Sequence, residues 1–332
     1  MGPTPSPPHE PLGSLRELVR SGRFAEALRA FRDDGPAARG ADALLLAATA
    51  ATRLGELTEA RVLAEEAAQA FRARGDRDGS MRTLNLLGVI AFEQGQLEEA
   101  EAALRQALGL AQELSDSHLA ARAANNLASL SHLRGSAPDA LSLYRGALLA
   151  YQRLGDRRGT AETYHNLGLV FRQMEDWTDA EGAADEALRH AEVMGEPSLL
   201  ALVLTGRAEI RVEQGQVALA QPELERAARL AGQAGDELGV AEVRRLRALG
   251  ALRRGDPAAA LPEAEAAYAT AAAAGTALLR ADAAAALALS LRRLGRSVEA
   301  EDRRHEAMET YRTLGAVALS RRLEREWTGT EG

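Results

Sequence analysis

The chain has 332 residues, a formal net charge of −8, 46% hydrophobic and only 4% aromatic residues, and no cysteine. That length exceeds what one hydrophobic core ordinarily serves, so it points to several domains or to an array that grows in one dimension. The missing thiols exclude disulfides, thiolate catalysis and Cys-based metal sites, and a composition rich in Ala, Leu, Glu and Arg, without Val/Ile/Thr-rich runs, predicts an all-helical protein.

Taken in chain order, residues 1–10 read as a disordered Pro-rich tail: Met1 to Leu12 hold five prolines and no apolar stretch able to form a signal-peptide core. A short first unit, 11–40, follows. There Gly22 and Ala27 set a five-residue spacing from turn to alanine, and the segment from Asp33 to Gly40 closes the unit. Seven longer units then start near 41, 81, 121, 161, 201, 241 and 281. They are marked by Ala60, Ala100, Ala140, Ala180, Ala220, Ala260 and Ala300, at a spacing of forty residues without exception. Ala67, Ala107, Ala147, Ala187, Ala227, Ala267 and Ala307 repeat the ladder two helical turns later, on nearly the same face. Glycine stands five residues before each first alanine, from Gly55 to Gly295, with Glu175 the one departure. A second glycine series runs from Gly75 to Gly315, with Ser115 the departure. Each unit is therefore two helices of about seventeen residues joined by tight turns. The alanines are packing positions at helix crossings. Residues 316–332 read as a capping helix and a frayed end.

The segment from Leu154 to Ala187, LGDRRGTAETYHNLGLVFRQMEDWTDAEGAADEA, carries Tyr164, Leu167, Gly168, Phe171, Ala180 and Ala187 in a pattern that resembles the tetratricopeptide repeat family in its long-unit form, as in kinesin light chains, G-protein signalling modulators and bacterial regulators. HEAT and armadillo repeats have similar lengths, but a small residue at the eighth position with alanines at the twentieth and twenty-seventh is not their pattern. The resemblance implies a right-handed superhelical solenoid of about eight helix-turn-helix units, 11–315, with a C-terminal capping helix.

Chemistry-bearing constellations are missing from the sequence. His9, His118, His132, His165, His190 and His305 never fall at the i, i+4 spacing of helical zinc ligands, and the glycines come singly at turns, with no phosphate-binding loop. The expectation is a protein that is not an enzyme and holds no cofactor or metal. An acidic balance opposes nucleic-acid binding, and no apolar run is long enough to span a bilayer, so a cytoplasmic protein is expected. The charge is uneven, however: residues 1–240 carry 25 Arg against 35 acids, and 241–332 carry 15 Arg against 13. Arg245, Arg253, Arg292 and Arg293 there read either as solvated or as a docking patch for an acidic partner.

In tetratricopeptide arrays the first helices line a concave groove. Carrying the family's inward positions over by register yields Arg82, Asn85, Arg122, Asn125, Asn126, Ser129, His132, Glu162, His165, Asn166, Arg172, Gln173, Glu209 and Glu213. Amides on such a wall suit the backbone of an extended peptide, and the charged residues suit its side chains, although plain solvation would also account for them. The resemblance thus implies a protein- or peptide-binding scaffold or adaptor. A peptide- or ligand-responsive sensor acting on a signalling or transcription partner is the alternative.

Overall fold

The computed structural model describes residues 11–33 and 40–329, and among these it holds seventeen α-helices and no strand. The Pro-rich tail expected at 1–10 lies outside the described residues. The chain opens with α1 (Pro11–Arg20) and α2 (Phe24–Asp33), then forms the pairs α3 (Ala41–Arg53) with α4 (Leu57–Ala73), α5 (Arg77–Glu93) with α6 (Leu97–Glu113), and α7 (Ser117–Leu133) with α8 (Ala137–Leu154). It continues with α9 (Arg157–Gln173) and α10 (Trp177–Met194), α11 (Pro197–Glu213) and α12 (Val217–Ala234), α13 (Glu237–Arg253) and α14 (Pro257–Ala274), and α15 (Ala277–Arg293) and α16 (Ser297–Thr313). Helix α17 (Val317–Thr328) closes it.

The alanine ladders explain why these helices pair. All fourteen ladder alanines are at most 1% exposed; they lie on the second helix of each pair, where a methyl group lets the neighbouring backbone come close. The crossing tolerates little more. A Cβ added at Gly168 of α9 would stand 3.3 Å from the carbonyl oxygen of Ala180.

Caps and turns follow the sequence as directly. Asp76, Asp116, Asp156 and Asp236, each one residue beyond a turn position, accept the amides of Gly79, Leu119, Gly159 and Gly239 at 2.8–3.0 Å, so one orphan donor of each new helix is satisfied. The turn glycines sit in the left-handed region, as at Gly55 with φ 76° and Gly155 with φ 69°. The two departures from glycine, Ser115 and Glu175, adopt the same conformation at φ 57° and 60° and are the non-glycine residues that do so among those described. The turn geometry of the array overrides their own preference.

Each first helix also lies against the first helix of the next repeat, whereas second helices of successive repeats make no comparable contact. First helices therefore form the inner wall and second helices the outer one. The coil is tight enough for its successive turns to touch. A Cβ at Gly55 would meet Leu238 Cδ1 at 2.8 Å and Ala274 Cβ at 3.4 Å, and one at Gly95 would meet Ala277 Cβ at 2.8 Å and Leu314 Cδ2 at 3.0 Å. Gly22 against Ser198 and Gly315 against Arg134 extend the series. The partners are about four and a half to five and a half repeats apart in sequence, which sets the length of one superhelical turn at about five repeats.

Candidate functional site

The inner wall brings side chains of first helices together from one repeat to the next. Its N-terminal stretch is an amide ladder. Asn126 Nδ2 on α7 donates to Asn85 Oδ1 on α5 at 3.1 Å, and Asn166 Nδ2 on α9 approaches Asn125 Oδ1 at 3.5 Å, where Thr163 Oγ1 also donates at 3.2 Å. Asn85 and Asn125 are buried, at 6% and 8% exposure. Plain solvation does not describe these two: one oxygen of each buried amide stitches two repeats. The NH2 groups of Asn85 and Asn125 and the side-chain oxygens of Asn126 and Asn166 have no protein partner among the described residues.

Around the ladder the ionic groups differ in how far they are committed. Arg82 pairs with Asp78 at 2.8 Å and with Asp42 at 3.6 Å, and lies over the Phe71 ring. Glu162 accepts from Arg158 at 3.0 Å and faces Arg53, three repeats earlier, at 3.8 Å, so opposite sides of the coil approach within ion-pair range. Arg122 is exposed, and the ion pairs of the described residues leave it without a carboxylate partner. Ser129 hydrogen-bonds Tyr144 at 2.8 Å. His132 and His165 are both lowered to about 4, by burial first, with the Arg172 charge adding to it; Gln173 hydrogen-bonds His132 and opposes the shift there. The His165 ring occupies the space beside Gly206, where a Cβ would stand 2.4 Å from its Cε1.

Farther along, the wall is neutralised by its own partners. Glu209 accepts from Arg172 at 3.0 Å and from Arg245 at 2.8 Å, and Arg245 also engages Glu242 through its Nε at 2.9 Å. Burial alone would raise the Glu209 carboxyl, but the charges of Arg172 and Arg245 outweigh it and hold the group at about 2. Glu213 joins this network through Arg172 at 3.5 Å and Arg322 at 2.6 Å. Of the Arg-rich patch expected for an acidic partner, two arginines are committed to carboxylates within the chain and two, Arg292 and Arg293, are exposed. Arg245 is 4% exposed, Arg253 faces Glu213 at 3.8 Å and Glu326 at 3.7 Å, Arg292 lies 4.6 Å over the Trp327 ring, and Arg293 donates to the Leu252 carbonyl at 2.5 Å. Carboxylates on neighbouring repeats neutralise Arg245 and Arg253, whereas Arg292 and Arg293 keep their charge at the surface.

Sequence reading missed Arg53, Glu242, Arg322 and Glu326. The available signal was positional. Arg322 stands where an eighth long unit would repeat Arg82 and Arg122, and Glu326 is one helical turn beyond it. Among the described residues, no group of three or more His, Asp or Glu gathers as metal ligands, and no helix is long and apolar enough to cross a membrane.

A family model described as Tetratricopeptide repeat matches residues 41–113 and 119–192. The fold is similar to that of a Rap protein complexed with Competence and Sporulation Factor, with TM-score 0.72 and 15% identity over 94% of this chain and 89% of that one. It is also similar to the Rap conjugation gene regulator of the plasmid pLS20 in complex with the Phr* peptide (TM-score 0.69, 14% identity, 93% and 96% coverage) and to NprR in complex with its cognate peptide NprX (TM-score 0.62, 12% identity, 98% of both chains). No curated protein matches the chain by sequence.

Proposed function

We propose that this tetratricopeptide-repeat solenoid is a non-enzymatic scaffold that holds an extended peptide segment along its inner wall between α5 and α9. The amide ladder carries the reading: Asn85, Asn125, Asn126 and Asn166 lie on consecutive first helices, each with one hydrogen-bonding group engaged and another open. An extended strand presents donors and acceptors in alternation, which such a row matches without reading sequence. Arg122, without a carboxylate of its own, would then select an acidic side chain or a terminal carboxylate on the ligand.

Support also comes from the solved relatives in the fold, two of which hold a peptide. The same kinship favours a second reading, in which the bound segment is a signal and the solenoid is the sensor for a regulatory partner. Both readings share one test. Random peptides displayed on phage are selected against the full chain, and the affinity of those captured is measured by calorimetry on the unaltered chain and on the Asn125→Ala/Asn126→Ala/Asn166→Ala variant. Each backbone hydrogen bond contributes roughly 0.5–1.5 kcal/mol net, so the triple change should weaken binding at least tenfold. Failure to select any peptide, or equal affinity for the variant, would remove the ladder from the reading.

A further inference from the structure

Helix α17 is packed more shallowly than the first helices it lies against. It fully buries one of its residues, Leu323, where α13 buries nine and α15 ten. It has no side-chain N-cap. What attaches it is mostly ionic and aromatic: Arg322 reaches Glu213 at the end of α11 at 2.6 Å, Glu326 stands 3.7 Å from Arg253 at the end of α13, and Trp327 is flanked by the guanidinium groups of Arg292 and Arg304 at 4.6 and 5.2 Å. Between the helix and the wall a small open-sided cleft of about 20 Å³ remains, with Val212, Leu249, Leu252 and Leu289 at its apolar side and Glu213, Arg253, Arg293, Arg322 and Glu326 around it. The occupant matches the charge of its seat and leaves the apolar part of it unfilled.

We propose that the inner surface formed by the C-terminal ends of α11, α13 and α15 is a second, helix-binding site, occupied in cis by α17, and that a partner helix presenting Arg and Glu four residues apart followed by an aromatic residue displaces it. The chemistry of the seat defines this ligand. Glu213 and Arg253 lie on adjacent first helices and face opposite charges one helical turn apart, a spacing that an extended strand does not reproduce. A partner helix carrying one more methyl-sized apolar group at that point would fill the cleft and gain packing that the resident helix lacks. Of the two ion pairs, Arg253–Glu326 is the more accessible, with its arginine side chain 33% exposed, and is the one that salt screens first, whereas Arg322–Glu213 is largely shielded. The site is separate from the amide ladder, and its test does not depend on peptide binding there.

The probe is a fluorescein-labelled synthetic peptide of residues 316–329, titrated by anisotropy against the full chain and against the full-length Arg322→Glu/Glu326→Arg variant. In that variant α17 meets like charge at both Glu213 and Arg253, so the probe should bind at least tenfold more tightly than to the unaltered chain. Adding Glu213→Arg and Arg253→Glu restores the cis pairing and should abolish the gain. Equal affinity for the unaltered chain and the double variant, or no binding to either, overturns the proposal. Circular dichroism establishes that each variant is folded. A second measurement needs no substitution: raising salt from about 0.05 to 0.5 M should speed amide exchange in residues 317–328 severalfold relative to α16. A uniform response of both helices would count against a detachable α17.

Discussion

The Arg245 guanidinium donates to Glu209 at 2.8 Å across the seam between two repeats, and both side chains are nearly withdrawn from water, at 4% and 8% exposure. A carboxylate so enclosed depends on its cations. Arg245→Met keeps the length of the side chain and deletes the charge, leaving Glu209 to Arg172. The expected loss in urea unfolding is about 3 kcal/mol. Arg244→Met, on the same helix but with its side chain 44% exposed, should change stability by less than about 0.5 kcal/mol. Similar losses at the two sites would mean that burial of the pair is not what matters.

Ser115 and Glu175 hold left-handed backbone that glycine adopts at the corresponding turns. Ser115→Gly and Glu175→Gly should each stabilise by about 1 kcal/mol, since the strain relieved exceeds the flexibility added to the unfolded chain. The reverse change has a clean site at Gly155, where an added Cβ would touch nothing within 4 Å and only the backbone conformation is tested. Gly155→Ala should cost about 1 kcal/mol. Thermal melting of the three variants gives the signs directly, and a destabilised Ser115→Gly would refute the strain.

The ladder alanines set a packing limit. Ala140 is fully buried on α8, so Ala140→Leu should overpack the crossing and destabilise by about 1–3 kcal/mol. Ala102→Leu, on the exposed side of α6, should be nearly neutral. Urea midpoints separate the two, and matching midpoints would show that the helix crossings have slack.

His132 and His165 carry folded-state values of about 4, below the unfolded imidazole near 6.5. Between those values the unfolded chain binds more protons than the folded one, so stability should fall as pH drops from about 6.5 to about 4. Glu209, held at about 2, adds a separate loss at lower pH, as its unfolded counterpart protonates near 4. His132→Gln/His165→Gln should flatten the upper window and leave the lower one in place. Denaturation midpoints across that pH range decide it; an unchanged slope in the double variant would assign the loss to other groups.

The parts of this architecture governed by local rules were legible in the sequence. Forty-residue spacing of Ala60, Ala67 and their successors located the crossings, and the glycine series located the turns, because both depend on steric demands within a few residues. The fate of the wall side chains was not legible in the same way. Asn85 and Asn126 are 41 positions apart, and whether they bond each other or face water depends on the angle between adjacent repeats. Arg245 read as an open cation because its partner Glu209 comes from the previous repeat. The contact of Gly55 with Leu238 depends on the sum of several such angles. A periodic sequence states what recurs, but the rotation per repeat emerges only from packing.

The approach of Gly55 to Leu238 and of Gly95 to Ala277 gives the molecule a mechanical character that a loosely wound solenoid lacks. Pulled from its two ends, the coil would yield first at these turn-on-turn seams. They join loops and helix ends and sever no intrahelical hydrogen bond when they part. The molecule would lengthen with every helix intact, at low force, and only then would individual repeats peel away as the alanine crossings fail. Two elastic regimes in one force–extension trace, the first reversible, are the signature of a spring wound tightly enough for its coils to touch.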